Sequence, residues 1–300
     1  MSSSTITLGT RGSRLALAQT QVVADALQRA NPKLAIATTV ITTKGDVNHE
    51  PIPATTIGKA WFTAEIEAAL RKRTIDLAVH SLKDLPPEGT PGLVTFCVLE
   101  RADARDVLVS KHGETLAELP AGAVVGTDSS RRKAALLQAR PDLEVRSIRG
   151  NVDTRLQKLQ DEDYDALVLA AAGLDRLGLL AQATELLDPV HFVPAIGQGV
   201  LAAQIREDDH ELAELLGALQ HDDTVQVVAA EQAFSAIVGG GCTQPVGCYA
   251  VFSGSTVTVH GLVGSLDATH AVIDSRKGPA AQALQLAKSL ATTLKSELAS

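Results

Sequence analysis

At 300 residues the chain is roughly twice a usual domain of about 150, so two or three lobes are expected and one small module is excluded. Hydrophobic residues make up 45% of it but aromatics only 3%, which leaves Ala, Val, Leu and Ile to fill the interior and argues against binding by stacking on bases or sugars. Against 27 Lys plus Arg stand 35 Asp plus Glu, a net charge of −8, so nucleic acid, which rewards basic surfaces through counterion release, is not an expected partner.

The opening MSSSTITLGT has neither a basic n-region nor an apolar h-region, and no apolar run approaches the ~20 residues that span a bilayer, so no membrane partner and a cytoplasmic location are expected. A strand over residues 5–8 turns at Gly9 into a helix over 13–30. Leu15, Val22, Val23, Ala26 and Leu27 share one face of that helix, Ser13 suits its N-cap, and Pro32 lies beyond its end. Further strands are predicted near 34–42, 75–80, 93–99, 123–126, 143–148 and 166–170, with helices between most of them. Short β-branched runs alternating with amphipathic stretches predict an α/β architecture, helices on a mostly parallel sheet. After about Leu219 the pattern changes to a helix over 225–237, a glycine-rich loop, period-two runs and a last helix over 280–299, which reads as a small α+β domain. The longest stretch without Asp, Glu, Lys or Arg, 232–266, is broken by Gly239, Gly240, Gly241, Thr243, Gln244 and Pro245 and cannot be a membrane helix.

The first part of the chain repeats itself. Gly9-Thr10-Arg11-Gly12-Ser13-Arg14 recurs in form as Gly126-Thr127-Asp128-Ser129-Ser130-Arg131-Arg132, each after a strand and opening a helix, and Ile75-Asp76-Leu77-Ala78-Val79 resembles Tyr164-Asp165-Ala166-Leu167-Val168. Two similar α/β lobes around a cleft are expected, with ligands beyond the carboxyl ends of the strands. A helix N-terminus presents unpaired N–H groups, so a strand-turn-helix bearing Ser, Thr and Arg is an anion site. GxxxxGK[ST] is absent, so a nucleotide is not the favoured anion. Other cations stand at strand ends: Lys83, Arg149, Arg155 and Arg176. Asp84 follows Lys83 and precedes Leu85-Pro86-Pro87, a stiff turn, so it is either an ion-pair partner or helix cap, or a fixed negative charge for a cationic intermediate.

Three cysteines without CxxC spacing fit neither a disulfide framework nor a zinc knuckle, and no metal is expected. Cys97 and Cys248 read as inert strand residues; Cys242, in Gly239-Gly240-Gly241-Cys242-Thr243-Gln244-Pro245, reads as an accessible thiol. His80, in an apolar strand, reads as a satisfied core residue.

Taken together, LGTRGSRLALAQ from Leu8, TTKGD from Thr42, FTAEIEAAL from Phe62, DLAVHSLKDLP from Asp76, GTDSSRRKAALL from Gly126, IRGNVDTRLQKL from Ile148, DALVLAAAGLDRLGL from Asp165, PAIGQGVLAAQ from Pro194 and GGGCTQPVG from Gly239 closely resemble the porphobilinogen deaminase (hydroxymethylbilane synthase) family over nearly the whole chain. The resemblance implies two periplasmic-binding-protein-like α/β lobes, 1–99 with 200–217 and 100–199, and a C-terminal α+β domain, 218–300. It also implies a dipyrromethane cofactor held by Cys242 through a thioether, addition of four porphobilinogen units with loss of ammonia, hydrolytic release of the linear tetrapyrrole, and a monomer. Loss of ammonia leaves an azafulvenium cation, which by resemblance Asp84 stabilises at the pyrrole N–H groups. Cofactor contacts fall by resemblance on Lys83, Ser13, Thr127, Ser129, Arg131, Arg132, Arg149, Gly150, Arg155 and Gly173. Substrate contacts fall on Arg11, Gln19, Lys59, Arg149, Arg155 and Arg176, with 46–58 resembling a mobile loop. This chain departs from the family in Asp128, where serine is usual, in Ala60-Trp61 for Gly-Leu, and in Thr243-Gln244 for Gln-Val. Two other readings stay open: a non-catalytic anionic-solute-binding protein of two-lobed fold, which lacks a secretion signal here, and a cysteine-dependent acyltransferase or hydrolase, which needs a base near Cys242.

Overall fold

The computed structural model describes residues 5–47, 60–239 and 245–299, the side chains of 47 and 60–62 excepted. In chain order the elements are β1 (Thr5–Thr10), α1 (Arg14–Ala30), β2 (Ala35–Val40), α2 (Lys44–Val47), α3 (Ala60–Arg71), β3 (Leu77–Ser81), β4 (Leu93–Val98), β5 (Asp106–Ser110) and β6 (Val124–Gly126). Then come α4 (Ser130–Ala139), β7 (Glu144–Arg146), α5 (Val152–Asp161), β8 (Ala166–Ala170), α6 (Ala171–Arg176), β9 (Glu185–Leu186), β10 (Leu201–Arg206), α7 (His210–Gly217) and α8 (Asp222–Val238). The chain ends with β11 (Val246–Ser253), β12 (Thr256–Gly264), β13 (Ala271–Pro279) and α9 (Ala283–Ala299).

The described residues fall into two compact units, Met1–Ala102 with Val200–Val225, and Asp103–Gly199 with Gln226–Ser300. The first holds a sheet ordered β2-β1-β3-β10-β4, in which β1 runs parallel to β2 and β3 while β10 lies antiparallel to both β3 and β4. Strand alternation sends Leu77, Val79, Leu201, Ala203 and Ile205 toward Val23 and Leu27 of α1 and Leu212 and Leu216 of α7. Ala78, on the opposite face, packs with Ile66 and Leu70 of α3.

The second unit repeats this plan as β7-β6-β8-β5-β9, again two parallel pairs and two antiparallel ones. The repeat extends to hydrogen bonds. Asp76 accepts the Thr7 N–H at 2.9 Å and Asp165 accepts that of Val124 at 2.7 Å, two residues before Gly9 and Gly126 respectively. This unit also holds an antiparallel sheet, β11-β12-β13, whose Val257 and Val259 pack on Phe234 of α8 and Leu290 and Leu294 of α9.

The α/β architecture with an α+β part is thus present, but each five-stranded sheet is mixed rather than mostly parallel. Every antiparallel pair in these two sheets includes β5, β9 or β10, the strands that the sequence pattern did not indicate. β10 reads Leu-Ala-Ala-Gln-Ile-Arg, yet all six residues are buried, because strands flank it on both sides and helices cover both faces. Among the described residues no helix is long and apolar enough to cross a membrane.

Candidate functional site

In the first unit the candidate residues gather where β1 and β3 end. Ser13 caps α1 by accepting the Ala16 N–H at 3.2 Å, leaving earlier first-turn N–H groups for other acceptors. Arg11, between β1 and that cap, donates from Nε to Asp46 Oδ1 at 3.1 Å. Burial raises the Asp46 pKa, but the hydrogen bonds from Arg11 and Thr43 and the Arg11 charge override it, so the carboxyl lies below its ordinary range. Gln19, buried on α1, donates to Ser81 Oγ at 2.8 Å and so ties the helix to the end of β3.

After Ser81 the chain makes one 3₁₀ turn, Leu82–Asp84, closed by the Leu85 N–H on Leu82 O and anchored by the Leu82 N–H on Val200 O. Lys83 and Asp84 are half-buried on this turn, ahead of Pro86 and Pro87. Among the described residues the Asp84 carboxylate accepts no hydrogen bond and joins no ion pair.

His80, one residue before Ser81, is buried as expected of a core residue, and its Nε2 and the Oε1 of Gln204 have no well-formed hydrogen bond among the described residues. Desolvation, helped by the Arg11 charge, lowers its pKa to about 4, so the ring is neutral near neutral pH.

In the second unit Ser129 caps α4 by accepting the Arg132 N–H at 3.4 Å, and Thr127 Oγ1 accepts the Ser129 N–H at 3.2 Å. Two of the expected anion-binding side chains behave differently from their sequence reading. Arg131 and Arg132 turn inward, 4% and 7% exposed, onto Asp106 at the start of β5. Arg131 Nη1 donates to Asp106 Oδ2 at 2.8 Å and to Val193 O at 2.6 Å; Arg132 donates to Asp106 Oδ1 at 2.7 and 3.0 Å and to Val168 O at 2.9 Å. Gln198 Nε2 completes the cluster on Asp106 Oδ1 at 2.9 Å. Asp106 and Gln198 were missed from the sequence; the available signal was a carboxylate opening the apolar run Val107-Leu108-Val109.

Arg149, after β7, pairs with Asp128 at 2.8 Å. Gly150 has φ +118°, and a Cβ there would lie 2.8 Å from Thr154 Cγ2, so glycine lets the chain turn sharply into α5. Its carbonyl accepts Arg155 Nε at 2.8 Å. Gly173 lies within α6, and Arg176 ends that helix with Nη2 on Gly199 O at 2.7 Å. No carboxylate lies within ion-pair distance of Arg176 among the described residues, and desolvation lowers its pKa to about 10 against the pull of Asp175.

Cys242 and Lys59, and most of the 46–58 stretch, lie outside the described residues, as do the Trp61 side chain and Thr243-Gln244. Cys248 is fully buried on β11 and Cys97 half-buried on β4.

The chain matches "Porphobilinogen deaminase, dipyromethane cofactor binding domain" over residues 6–214 and "Porphobilinogen deaminase, C-terminal domain" over 225–296. A protein of Roseiflexus castenholzii named porphobilinogen deaminase is 47% identical over 290 residues, which cover 96% of this chain and 95% of the other. One of the same name from Bacillus subtilis is 47% identical over 265 residues, covering 88% and 84%. A solved lipoprotein of the YaeC family from Enterococcus faecalis aligns with 76% of this chain and 96% of its own at 16% identity and a TM-score of 0.45. With its larger and smaller segments both matched and close relatives along nearly its whole length, the chain belongs to the porphobilinogen deaminase family.

Proposed function

We propose that the protein is a hydroxymethylbilane synthase: it joins four porphobilinogen molecules in turn, with loss of ammonia at each addition, and releases the linear tetrapyrrole by hydrolysis. The Asp84 carboxylate supports this reading. In a chain where Asp46, Asp106 and Asp128 are all ion-paired, Asp84 is held on a stiff turn with no partner among the described residues. Such a group is suited to accept pyrrole N–H hydrogen bonds and to offset the positive charge that develops as ammonia departs.

A pyrrole chain with acetate and propionate arms asks for cations and N–H donors, and the residues present fit it. Arg176 is desolvated with no carboxylate in ion-pair distance among the described residues, the first turn of α4 offers N–H groups, and Gly150 lets the backbone beside Arg149 turn sharply. Bound dipyrromethane supplies the free α-carbon to which the first porphobilinogen is joined. Cys242 is the residue we assign to hold it through a thioether. Lys83, Ser13, Thr127, Ser129, Arg149, Gly150, Arg155 and Gly173 are assigned to its arms and rings, and Arg11, Gln19, Lys59, Arg149, Arg155 and Arg176 to incoming substrate. Arg131 and Arg132 join the cofactor set chiefly by holding the first turn of α4 in place, since their guanidiniums are engaged by Asp106. A three-domain division at 1–99 with 200–217, 100–199 and 218–300, a cytoplasmic location and a monomeric state complete the proposal. The non-catalytic binding protein is not favoured, given relatives of 47% identity that carry an enzyme's name.

The test is single-turnover addition on cofactor-loaded protein followed by intact mass. Asp84→Asn should slow addition by at least about 10²-fold, the scale of general acid–base help alone, and Asp84→Glu should keep part of the rate. Addition by loaded Asp84→Asn at close to the wild-type rate would remove Asp84 from the chemistry.

A further inference from the structure

The internal repeat places Arg11 and Asp128 at equivalent positions, each two residues after the glycine at or next to the end of the repeat's first strand, Gly9 or Gly126. Each side chain reaches across to the turn that follows the adjacent parallel strand. Arg11 meets Asp46 beyond β2, and Asp128 meets Arg149 beyond β7. The second unit therefore carries the same bridge with its signs exchanged. A carboxylate stands in the anion-binding turn, and the arginine arrives from the neighbouring one.

We propose that Asp128 is a built-in competitor for Arg149 that sets how tightly this chain holds the carboxylate arms of its pyrrole substrate. The inference rests on the reading of Arg149 as a carboxylate-binding residue. Asp128 Oδ2 takes the Nε edge of the guanidinium at 2.8 Å, one of the two edges on which it can make a two-pronged bond to an incoming carboxylate. The carboxylate is braced for this position. Ser147 Oγ donates to its Oδ1, the Ser147 carbonyl is fixed by Tyr164 OH at 2.8 Å, and the Thr127 N–H holds Arg146 O at 2.9 Å. Both partners stay reachable: 30% of the Arg149 side chain and 31% of that of Asp128 are exposed, so the pair is weak enough to exchange for a ligand. A substrate arm displaces Asp128 on arrival, and Asp128 reclaims the guanidinium on departure. Its charge, next to the Ser129 cap of α4, also repels an anion approaching that helix end.

The experiment compares cofactor-loaded wild type, Asp128→Ser, Asp128→Asn and Arg149→Leu. It reads KM and kcat for porphobilinogen, together with water exchange of the Arg149 Nε–H, assigned by NMR from its loss in Arg149→Leu. Both Asp128 variants should lower KM about two- to fivefold, the range over which an exposed pair can compete, with kcat changing less. The Nε–H should exchange faster in both, and Arg149→Leu should raise KM. An unchanged or raised KM in both Asp128 variants, beside a raised KM in Arg149→Leu, shows Asp128 to be a brace and overturns the proposal with the role of Arg149 intact. A near-wild-type KM in Arg149→Leu overturns it through its premise and removes Arg149 from the site.

Discussion

Asp106 sits fully buried at the start of β5, its oxygens accepting four hydrogen bonds, one from Arg131, two from Arg132 and one from Gln198. Asp106→Asn keeps the volume and removes the charge. It leaves two adjacent guanidiniums, 5% and 8% exposed, without a carboxylate in ion-pair distance among the described residues. Removing one partner of a buried ion pair costs about 3–5 kcal/mol, because the charge left behind is uncompensated. For a unit of this size each kcal/mol moves the melting point by roughly 2–4 °C, so a loss of about 6–20 °C is expected near pH 7. The pH dependence gives a second check. Burial raises the Asp106 pKa, but the charges and hydrogen bonds of Arg131 and Arg132 outweigh it and hold the folded carboxyl well below its ordinary 3.8. A depressed folded value means that the stabilisation is complete above the ordinary value and fades as pH falls through it toward the folded one. The melting-point gap between wild type and variant should therefore be widest near neutral pH and shrink below about pH 4. Calorimetric melts at several pH values measure both. A gap under about 2 °C at neutral pH, the scale of an ordinary surface change, or one that persists unaltered in acid, would refute the argument.

Cys242→Ser should give folded protein whose denatured intact mass lacks a covalent two-pyrrole adduct, whereas Cys97→Ser and Cys248→Ser should retain it; an adduct mapped to either of the latter would overturn the assignment. Gly247→Ala should destabilise the second unit by about 1–3 kcal/mol in denaturant titrations, since its Cβ would lie 2.7 Å from Val193 O and 3.0 Å from both Pro194 O and Arg131 Cδ. Wild-type stability in that variant would mean that the 193–194 backbone yields easily.

The repeat was legible because its markers are local. Gly9 and Gly126 end short strands, serines cap the helices that follow, and Asp76 and Asp165 precede apolar runs, all within windows a reader can scan. β10 was not, because nothing in Leu-Ala-Ala-Gln-Ile-Arg says strand; its conformation comes from the gap between β3 and β4 that it fills from more than a hundred residues downstream. Side-chain direction failed for the same reason. Arg131 and Arg132 read by resemblance as cofactor contacts; that they are buried on Asp106, 25 residues before Arg131, beside Gln198 is set by distant residues that no local pattern displays. His80 was rightly placed in the interior, but its unmatched Nε2 depends on where Gln204 of β10 falls, which no local pattern reveals.

An acidic chain that binds a polyanion must keep its cations from being spent on its own carboxylates, and the ion pairs here show how that conflict is divided. Where the pair is sealed from water, as with Asp106, Arg131 and Arg132, the charges are committed and serve to hold the α4 turn. Where the pair is partly exposed, as with Arg11–Asp46 and Arg149–Asp128, it is open to exchange, which is what the proposed competition with a ligand carboxylate requires. Two groups stand outside this scheme. Arg176 is desolvated but holds only the Gly199 carbonyl, and Asp84 holds nothing among the described residues. For Arg176 the cost of leaving water is already met by folding, so a carboxylate arm that reaches it gains charge-assisted hydrogen bonds without stripping a hydration shell from the protein. Asp84 offers the complementary case, a fixed acceptor for a group that carries N–H bonds and turns cationic as it reacts. Each is thus matched, within its own unit, to one half of the chemistry proposed for the substrate: Arg176 to an acidic arm, Asp84 to a ring N–H that gains positive charge.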